Sequence, residues 1–197
     1  MITLDPAFNL EVSKTIQLEL LKLDHADEIF SLITENRSYL RKWLPWVDRM
    51  RSLSEFRQFI KESNHRAGAG LEIGCVIRYQ QHLAGRAGIY NIDREKATAT
   101  IGYWVAEAQQ GKGIITCCCQ ALIRYAFEVL QLENIEIRCA TDNHRSSAIA
   151  ERLNFCMSHT IKNGEFFNHR YVDLHVYSLE KTAWVNHELA SIRPNAS

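Results

Sequence analysis

Hydrophobic and polar positions along the chain follow two periods, and each period predicts one kind of element. Runs rich in large, aromatic and β-branched residues predict seven strands. They cover residues 16–23, 71–79, 83–92, 97–105, 135–140, 155–167 and 171–179. Apolar residues three and four positions apart predict four helices. They cover residues 25–35, 52 or 54 to about 68, 114–130 and 145–153.

The order of these elements, β-α-α-β-β-β-α-β-α-β-β, limits the topology. Short turns between the three strands at 71–105 predict antiparallel hairpins. The helix after the third of these strands joins it to the next strand, which makes that pair parallel. We therefore expect an α/β fold with a mixed, mostly antiparallel seven-stranded sheet flanked by helices. It forms a single domain over residues 1–180, and residues 181–197 form a C-terminal tail, as a short helix or a loose segment.

Local signals predict where the helices begin and which side they bury. The predicted N-caps, in chain order, are Asp24, Ser52 or Ser54, and Asp142 or Asn143. The central helix is expected to bury one apolar stripe. Its members are Ala121, Leu122, Tyr125, Ala126, Val129 and Leu130. In the last strand, polar and aromatic residues alternate with apolar ones and predict one face of a sheet. They are Tyr171, Asp173, His175 and Tyr177.

Composition narrows the classes of protein. The 197 residues are 46% hydrophobic, which is ordinary for a globular domain. The 23 basic and 23 acidic residues cancel, so we expect neither nucleic acid nor a membrane surface as a partner. No apolar run approaches the length of about 18 residues that a transmembrane helix needs. The N-terminal residues lack the basic start and apolar centre of a signal peptide.

The six cysteines predict reduced thiols and not a disulfide framework. Three are consecutive, from Cys117 to Cys119, and neighbours on a helix point in different directions. No pair of cysteines has C-x-x-C spacing, and the eight histidines include no H-x-x-x-H pair. We therefore expect no metal site, and we expect a cytoplasmic protein.

A loop that contains two glycines, Gly111-Lys112-Gly113, lies between the strand ending at Val105 and the central helix. The first amides of a helix have no partner within it, and the helix dipole makes its N-terminus positive. With Lys112 beside them, these amides favour a phosphate or pyrophosphate. Alternatively, the glycines serve only to reverse the chain. Neither the Walker pattern nor the dinucleotide fingerprint fits, because Ile-Ile follows Gly113 and Thr116 stands where the fingerprint needs glycine.

The same loop carries a resemblance to a known family. The segment Gln110-Gly111-Lys112-Gly113-Ile114-Ile115 resembles the Q/R-x-x-G-x-G/A signature of the GCN5-related N-acetyltransferases (GNATs). The I-G-Y-W strand and the Thr after the signature are similar to the branch that acetylates N-termini of ribosomal proteins. The resemblance implies the family fold and acetyl-CoA as cosubstrate. The residues it implies as cofactor-binding are Tyr103, Trp104, Val105, Gln110, Gly111, Lys112, Gly113, Ile114, Ile115, Thr116, Asn143 and Ser146.

Two departures from the family patterns have structural consequences. Ile115 stands where the signature has Gly or Ala, so its side chain must point away from the ligand. Residues 143–155 are similar to the family's N-x-x-S-x-x-x-x-x-x-x-G-F segment, in which the Asn contacts the pantetheine arm. Asn154 replaces the Gly of that segment, and Asn tolerates a left-handed backbone. Alternatively, Asn143 and Ser146 serve as helix-capping residues.

The resemblance also implies a reaction in which an amine attacks acetyl-CoA directly in a ternary complex. Backbone N–H groups near Trp104 and Val105 would stabilise the oxyanion. Ser146, with Ser147 as its alternative, would protonate the departing thiolate. Glu165 ends a K-x-x-E segment that is typical of the ribosomal-protein branch. It would accept the amine proton, either directly or through water.

Other positions are weaker candidates for a chemical role. Many relatives carry Glu just before I-G-Y-W, but Thr100 occupies that position here and cannot act as a base. Asp93 and Glu107 flank the central strand. Cys139 either packs as a small apolar residue or approaches the CoA sulfur closely enough to form a mixed disulfide.

The acceptor is less constrained than the chemistry. The aromatic and basic stretch at 36–49 either closes the core or forms a wall beside the acceptor. An α-amine, with a pKa of about 7.7–8.0, loses its proton more easily than lysine at about 10.4. We expect a protein N-terminus, above all a ribosomal one. The alternatives are a small amine (polyamine, amino sugar or antibiotic) and an acyl-CoA-binding sensor without turnover. The sequence leaves open whether the chain forms a homo-oligomer.

Overall fold

The chain forms one eight-stranded sheet with helices on both faces, in a computed structural model that describes residues 8–167 and 170–192. The strands are β1 (Asn9–Ser13), β2 (Ile16–Leu20), β3 (Ile73–Tyr79), β4 (His82–Asp93), β5 (Thr98–Val105), β6 (Asn134–Ala140), β7 (Cys156–Phe167) and β8 (Arg170–Glu180). The helices are α1 (Ala26–Glu35), α2 (Arg37–Leu40), α3 (Leu53–Gly68), α4 (Ile114–Glu128), α5 (His144–Arg152) and α6 (Lys181–Ile192). The predicted α/β class and element order are confirmed, with one strand more than the seven predicted.

The strands lie across the sheet in the order β1-β2-β3-β4-β5-β6-β8-β7. All neighbouring pairs are antiparallel except β5 and β6, which run parallel because α4 carries the chain back between them. Gln80 and Gln81 close the β3–β4 hairpin with φ values of 51° and 69°. A two-residue turn of this kind matches the twist of the flanking strands, which is why it connects them tightly.

The additional strand, β1, lies at the edge of the sheet and pairs with β2. The sequence did not predict it because the run is short: only Leu10 and Val12 alternate with polar residues, and neither is fully buried. The predicted loop at 168–170 falls mostly outside the described residues. So do the start of the expected domain before Phe8 and the end of the expected tail after Ile192.

The predicted N-cap is confirmed for α3 and is wrong for α1. Ser52 caps α3: its hydroxyl accepts from the Glu55 N–H at 3.2 Å, and the Glu55 carboxylate accepts from the Ser52 N–H at 2.9 Å. The prediction that Asp24 caps the first helix was wrong. A single 3₁₀ turn over Leu23–His25 precedes α1, and His25 holds the N-cap position without a side-chain bond.

Two clusters of buried side chains hold helices against the two faces of the sheet. On one face, α4 contributes the fully buried Leu122 and Phe127. On the other face, α1 and α3 contribute Ile29 and Phe56, which are equally buried. Residues 181–192 form α6, and Trp184 packs on Phe127 with ring centroids 5.4 Å apart. The predicted tail therefore begins as a helix that covers part of the core.

The central helix α4 buries a stripe that partly matches the predicted one, because Leu122, Ala126 and Leu130 are buried as predicted. Its buried residues are Ile114, Ile115, Cys118, Cys119, Leu122, Ile123, Ala126 and Phe127. Val129 is 44% exposed, because the helix ends at Glu128 and Val129 is only its C-cap. Ala121 and Tyr125 are half-buried at the margin of the stripe. All six cysteines are free, and burial raises the pKa of the Cys118 thiol to about 12.

The two parallel strands stay together over only three residues. Residues 98–100 of β5 pair with residues 134–136 of β6, and the strands then part. Each remains paired on its outer side, β5 with β4 and β6 with β8. The result is a V-shaped opening in the middle of the sheet, between residues 101–105 and 137–140.

The opening depends on close contact between β4 and β5 on its outer side. A Cβ atom at Gly85 would lie 2.2 Å from the Trp104 carbonyl oxygen and 2.7 Å from the Val105 Cα. We expect Gly85→Ala to lower the free energy of unfolding by about 2 kcal/mol or more, because backbone atoms must move. Gly68→Ala is the matched control, since a Cβ there meets nothing within 4 Å. Urea unfolding measures both, and equal midpoints for the two variants would contradict this account.

Candidate functional site

The V-shaped opening presents backbone donors that no neighbouring strand uses. The Ala106 N–H donates to the Ala84 carbonyl at 2.8 Å, toward β4. Successive peptide groups of a strand point to opposite sides, so the N–H groups of Tyr103 and Val105 point toward the opening. The Trp104 side chain lies on the face covered by α1 and α3, 8% exposed and 6.3 Å from the Trp46 ring. The predicted Trp104–Val105 segment thus lines the opening.

The glycine loop after β5 opens onto the start of α4. Gly111 and Gly113 have φ values of +73° and +74°, a conformation that side chains disfavour. A Cβ at either position would meet no atom within 4 Å, so the space around the loop is open. Gly113 is the N-cap of α4 and has no side chain to satisfy the first amides of the helix. The backbone amides at the start of α4 are therefore free of side-chain caps, and a loop of this geometry can bind an anion.

Side chains of the loop tie it to its surroundings. Lys112 donates to the Gln109 amide oxygen at 2.7 Å and lies 5.6 Å from the centre of the Tyr79 ring. Ile114 and Ile115 are 2% and 7% exposed and pack in the core. The larger residue at the last position of the motif therefore points away from the loop, as its departure from the family pattern requires. Thr116 accepts a weak bond from Arg152 at 3.5 Å.

One arginine joins three parts of the site. The Arg145 guanidinium donates to the Gln110 amide oxygen and hydrogen-bonds the Tyr39 hydroxyl. Gln110 Nε2 is buried and has no hydrogen-bond partner in the described part of the chain. Neither Arg145 nor Tyr39 was predicted from the sequence, because their contact depends on how α2 and α5 are placed. The position of Arg145 next to Ser146 in the N-x-x-S segment was the signal that could have drawn attention to it.

The start of α5 meets β5 through a pair of hydroxyls. The Asn143 amide oxygen accepts from the Ser146 N–H at 3.3 Å, so Asn143 caps the helix, one of the two interpretations the sequence allowed. The Ser146 Oγ lies 2.9 Å from the Tyr103 Oη, within hydrogen-bond distance. Burial raises the pKa of Tyr103, so its hydroxyl stays protonated.

Cys139 and Ser147 lie next to this pair. The Cys139 Sγ is 3.5 Å from the Ser147 Oγ, and both residues are buried. Burial raises the pKa of Cys139, which keeps it a thiol at neutral pH. The environment of Cys139 is therefore that of a packing residue close to the opening.

Glu165 lies on the other side of the sheet from the hydroxyl pair. It stands opposite Val172 across β7 and β8, and Ala140 stands opposite Leu174. Directly opposed residues share a face, and residues two apart on a strand share a face. Trp43 packs on the same group, so Glu165 shares its face with this tryptophan. Glu165 is half-buried, and burial raises the pKa of its carboxyl.

The aromatic and basic stretch at 36–49 serves both purposes that the sequence left open. Leu40 and Val47 are buried in the core under α1 and α3. Trp43 and Trp46 are only half-buried. Trp43 contacts the β8 residues near Glu165, and Trp46 contacts Trp104. The stretch therefore closes the core and also lines the face of the sheet that carries Glu165.

The weaker base candidates lie elsewhere or are engaged in turns. Thr100 stands where β5 and β6 still pair, at the closed end of the opening. The Asp93 carboxylate accepts from the N–H groups of Glu95 and Lys96 at 3.0 Å, and these bonds lower its pKa. The Glu107 side chain is exposed, while its N–H donates to Asn36.

Neither a metal site nor a membrane-spanning helix is found in residues 8–167 and 170–192. These residues contain no group of three or more His, Cys, Asp and Glu that could hold a metal ion. They also contain no helix that combines the length and the apolarity needed to cross a membrane.

Comparisons with known proteins relate the chain to acetyltransferases. The family model described as an acetyltransferase (GNAT) domain matches residues 15–156. YdaF of Bacillus subtilis (strain 168), provisionally named a ribosomal N-acetyltransferase, is 36% identical over 180 residues, which span 90% of this chain and 97% of YdaF.

Two solved structures share the fold over nearly their whole length. RimL, a ribosomal L7/L12 alpha-N-protein acetyltransferase in complex with coenzyme A, has a TM-score of 0.86 and 27% identity, covering 89% of this chain and 99% of RimL. The microcin C7 self-immunity acetyltransferase MccE, in complex with acetyl-CoA and AMP, has a TM-score of 0.85 and 28% identity, covering 91% and 99%.

The partial burial of Glu165 predicts a measurable effect on stability. Because its pKa is raised in the folded chain, its contribution to stability is present below the unfolded pKa and is lost as pH rises through the folded pKa. We therefore expect Glu165→Gln to raise Tm by about 1 to 3 °C near neutral pH and to have no effect near pH 4, where the carboxyl is protonated. Thermal unfolding followed by circular dichroism measures this, with Glu180→Gln, at an exposed strand end, as control. A lower Tm at neutral pH would show that the fold favours the carboxylate.

Proposed function

The chain belongs to the acetyltransferase (GNAT) family, and on that premise we propose that it transfers an acetyl group from acetyl-CoA to the α-amine of a ribosomal protein N-terminus. The observation that carries this proposal is the opening between β5 and β6, with a glycine loop at its mouth and unused N–H groups along its edge. One subsite accepts phosphate, and the other stabilises a negatively charged oxygen. An acetyl-CoA-dependent acyl transfer requires both.

The hydrogen-bond donors around the opening suit acetyl-CoA. The amides that follow Gly111 and Gly113 would hold the diphosphate, with the Gln110 Nε2 as a further donor that lacks a partner. The N–H of Val105 would hold the thioester oxygen as it becomes negative. Asn143, which caps α5, would also contact the pantetheine arm.

We assign the general acid to the hydroxyl pair at the start of α5. Ser146 would give its proton to the CoA thiolate as the thioester breaks, and Tyr103 would stabilise the Ser146 oxygen by donating a hydrogen bond across the 2.9 Å contact. The raised pKa of Tyr103 supports this role, because its hydroxyl stays neutral and keeps its proton for that bond. Ser147 is a weaker candidate, because its hydroxyl lies against the Cys139 thiol.

We assign the general base to Glu165. Its raised pKa brings it closer to that of an α-amine, so proton transfer costs less than it would to an ordinary glutamate. An α-amine with a pKa of about 7.7–8.0 needs less help than a lysine at about 10.4. The transfer occurs directly or through one water. A role in the cytoplasm follows from the proposed acceptor, since ribosomal proteins are made there.

The acceptor class rests on the relatives. YdaF and RimL are both named for ribosomal proteins, whereas MccE, at similar identity, is named for immunity to microcin C7. The same fold therefore carries more than one acceptor, and a small amine is the second candidate. The half-buried Trp43 and the Glu165 beside it suit either a peptide terminus or a compact amine.

The role assignments predict distinct kinetic losses. We expect Ser146→Ala and Glu165→Gln each to lower kcat by about 100-fold, because each removes a group proposed to transfer a proton. For Glu165→Gln, the KM for acetyl-CoA should stay within twofold, because Glu165 is not among the proposed cosubstrate-binding residues. Steady-state kinetics with peptides that begin with serine or alanine measure this. Glu180→Gln is the control for the charge change. Wild-type kcat in either variant would remove that residue from the proposed mechanism.

The acceptor is tested with isotopically labelled acetyl-CoA and a dialysed cell extract, with and without the small-molecule fraction restored. Intact-protein mass spectrometry then finds the labelled species. Label at the N-terminus of a ribosomal protein is the expected result. Label confined to small molecules would favour the second candidate. Binding of acetyl-CoA without any labelled product would mean a sensor and would overturn the proposed activity.

A further inference from the structure

An irregularity in β7 lies immediately before Glu165. Ile161 stands opposite Leu174, and Glu165 stands opposite Val172. Between these two pairs, three residues of β7 lie opposite the single residue Asp173. They are Lys162, Asn163 and Gly164. The strand therefore contains two residues more than regular pairing would allow, a β-bulge next to the proposed base.

Asp173 holds the bulge with both carboxylate oxygens. Its Oδ1 accepts from the Asn163 backbone N–H at 2.9 Å, and its Oδ2 accepts from the Lys162 Nζ at 2.6 Å. These bonds lower the pKa of Asp173, with the Lys162 bond as the larger cause, so it is charged at neutral pH. Asn163 has a φ of +51°, which pairing alone would not favour.

Gly164 is required by the same arrangement. A Cβ at this position would lie 2.9 Å from the Leu174 Cγ and 3.1 Å from the Ile161 Cγ2. The bulge therefore folds back tightly against the strand. Three independent features, namely the Asp173 bonds, the positive φ of Asn163 and the absence of a side chain at Gly164, fix one conformation.

The register of Glu165 depends on this conformation. Without the two extra residues, Asn163 would stand opposite Val172, and Glu165 would stand opposite Arg170. A shift of two residues moves a side chain by about 7 Å along a strand, at about 3.4 Å per residue. Glu165 would then leave the group of Ala140, Val172 and Trp43 that partly buries it.

We propose that Asp173 is a positioning residue: by holding the Lys162–Gly164 bulge, it sets the register that places the Glu165 carboxylate at the acceptor side of the opening. The inference rests on the proposed role of Glu165 as the base. Asp173 lies on the opposite face of β8 from Val172, so it acts on Glu165 through the backbone of β7 and not by contact with substrate.

The test uses the full chain with acetyl-CoA and a peptide that begins with serine. We expect Asp173→Ala to lower kcat by about 30-fold with the KM for acetyl-CoA within twofold, because the base is displaced and the cosubstrate site is not. Asp173→Asn should keep at least a third of kcat, since its amide oxygen still accepts from the Asn163 N–H. Asp27→Ala is the matched control: it removes an exposed aspartate that pairs with Arg57 at 3.0 Å, far along the chain from β7.

A second readout follows the register itself. In ¹⁵N-labelled protein, nuclear Overhauser contacts between Glu165 and Val172 should be present in wild type and in Asp173→Asn, and lost in Asp173→Ala. In the Glu165→Gln background, adding Asp173→Ala should lower kcat no further, because the base is already absent. A merely structural loss would instead lower kcat again.

The outcomes separate the two proposals. If Glu165→Gln lowers kcat but Asp173→Ala does not, or if the Glu165–Val172 contacts survive in Asp173→Ala, the positioning role is overturned and the base assignment stands. If Glu165→Gln keeps wild-type kcat, the base assignment fails, and the positioning role in catalysis fails with it. Loss of both kcat and the contacts in Asp173→Ala, with rescue by Asp173→Asn, supports the inference.

Discussion

The separation of β5 from β6 is the constraint on which the rest of the structure depends. A backbone N–H in the middle of a sheet normally has a partner, and leaving it without one costs free energy. Here the strands part after three residue pairs, so several such groups face an opening. The sheet tolerates this because β5 stays paired with β4 and β6 stays paired with β8. The unused groups are thereby available to a substrate.

Because the opening passes through the sheet, its two faces can hold different chemical groups. Ser146 and Tyr103 lie on the face covered by α4 and α5, where burial keeps the phenol neutral. Glu165 and Trp43 lie on the other face. The proposed proton donor and the proposed proton acceptor thus lie on opposite faces of the sheet. The proposed substrates would meet between them.

Much of the architecture could be predicted from local patterns. The Gly111–Gly113 loop, the Ser52 cap and the parallel crossing all follow from residue types at short spacing. What was missed depends on distant parts of the chain. β1 is exposed and forms a strand because β2 offers an edge. Asp24 failed as a cap because a 3₁₀ turn precedes α1.

The same limit applies to the candidate site. Motifs pointed to Ser146 and Glu165, but their surroundings come from register and packing. In the sequence, Asp173 is one polar position among four on a strand. Only the pairing of β7 with β8 shows that it lies opposite three residues. Likewise, the bond between Arg145 and Gln110 joins positions 35 residues apart, and no local pattern encodes it.

The burial of Ile114 and Ile115 couples the stability of the core to the proposed phosphate-binding loop. Open space surrounds both glycines of the loop that would bind a phosphate, and Lys112 and Gln110 hydrogen-bond to their surroundings. The end of the loop is fixed by the two isoleucines that begin α4 and are anchored in the core. A core mutation that lets α4 shift would therefore lower the affinity for the cosubstrate before it unfolds the protein. Substitutions that loosen the packing under α4 would then also alter the proposed cosubstrate site.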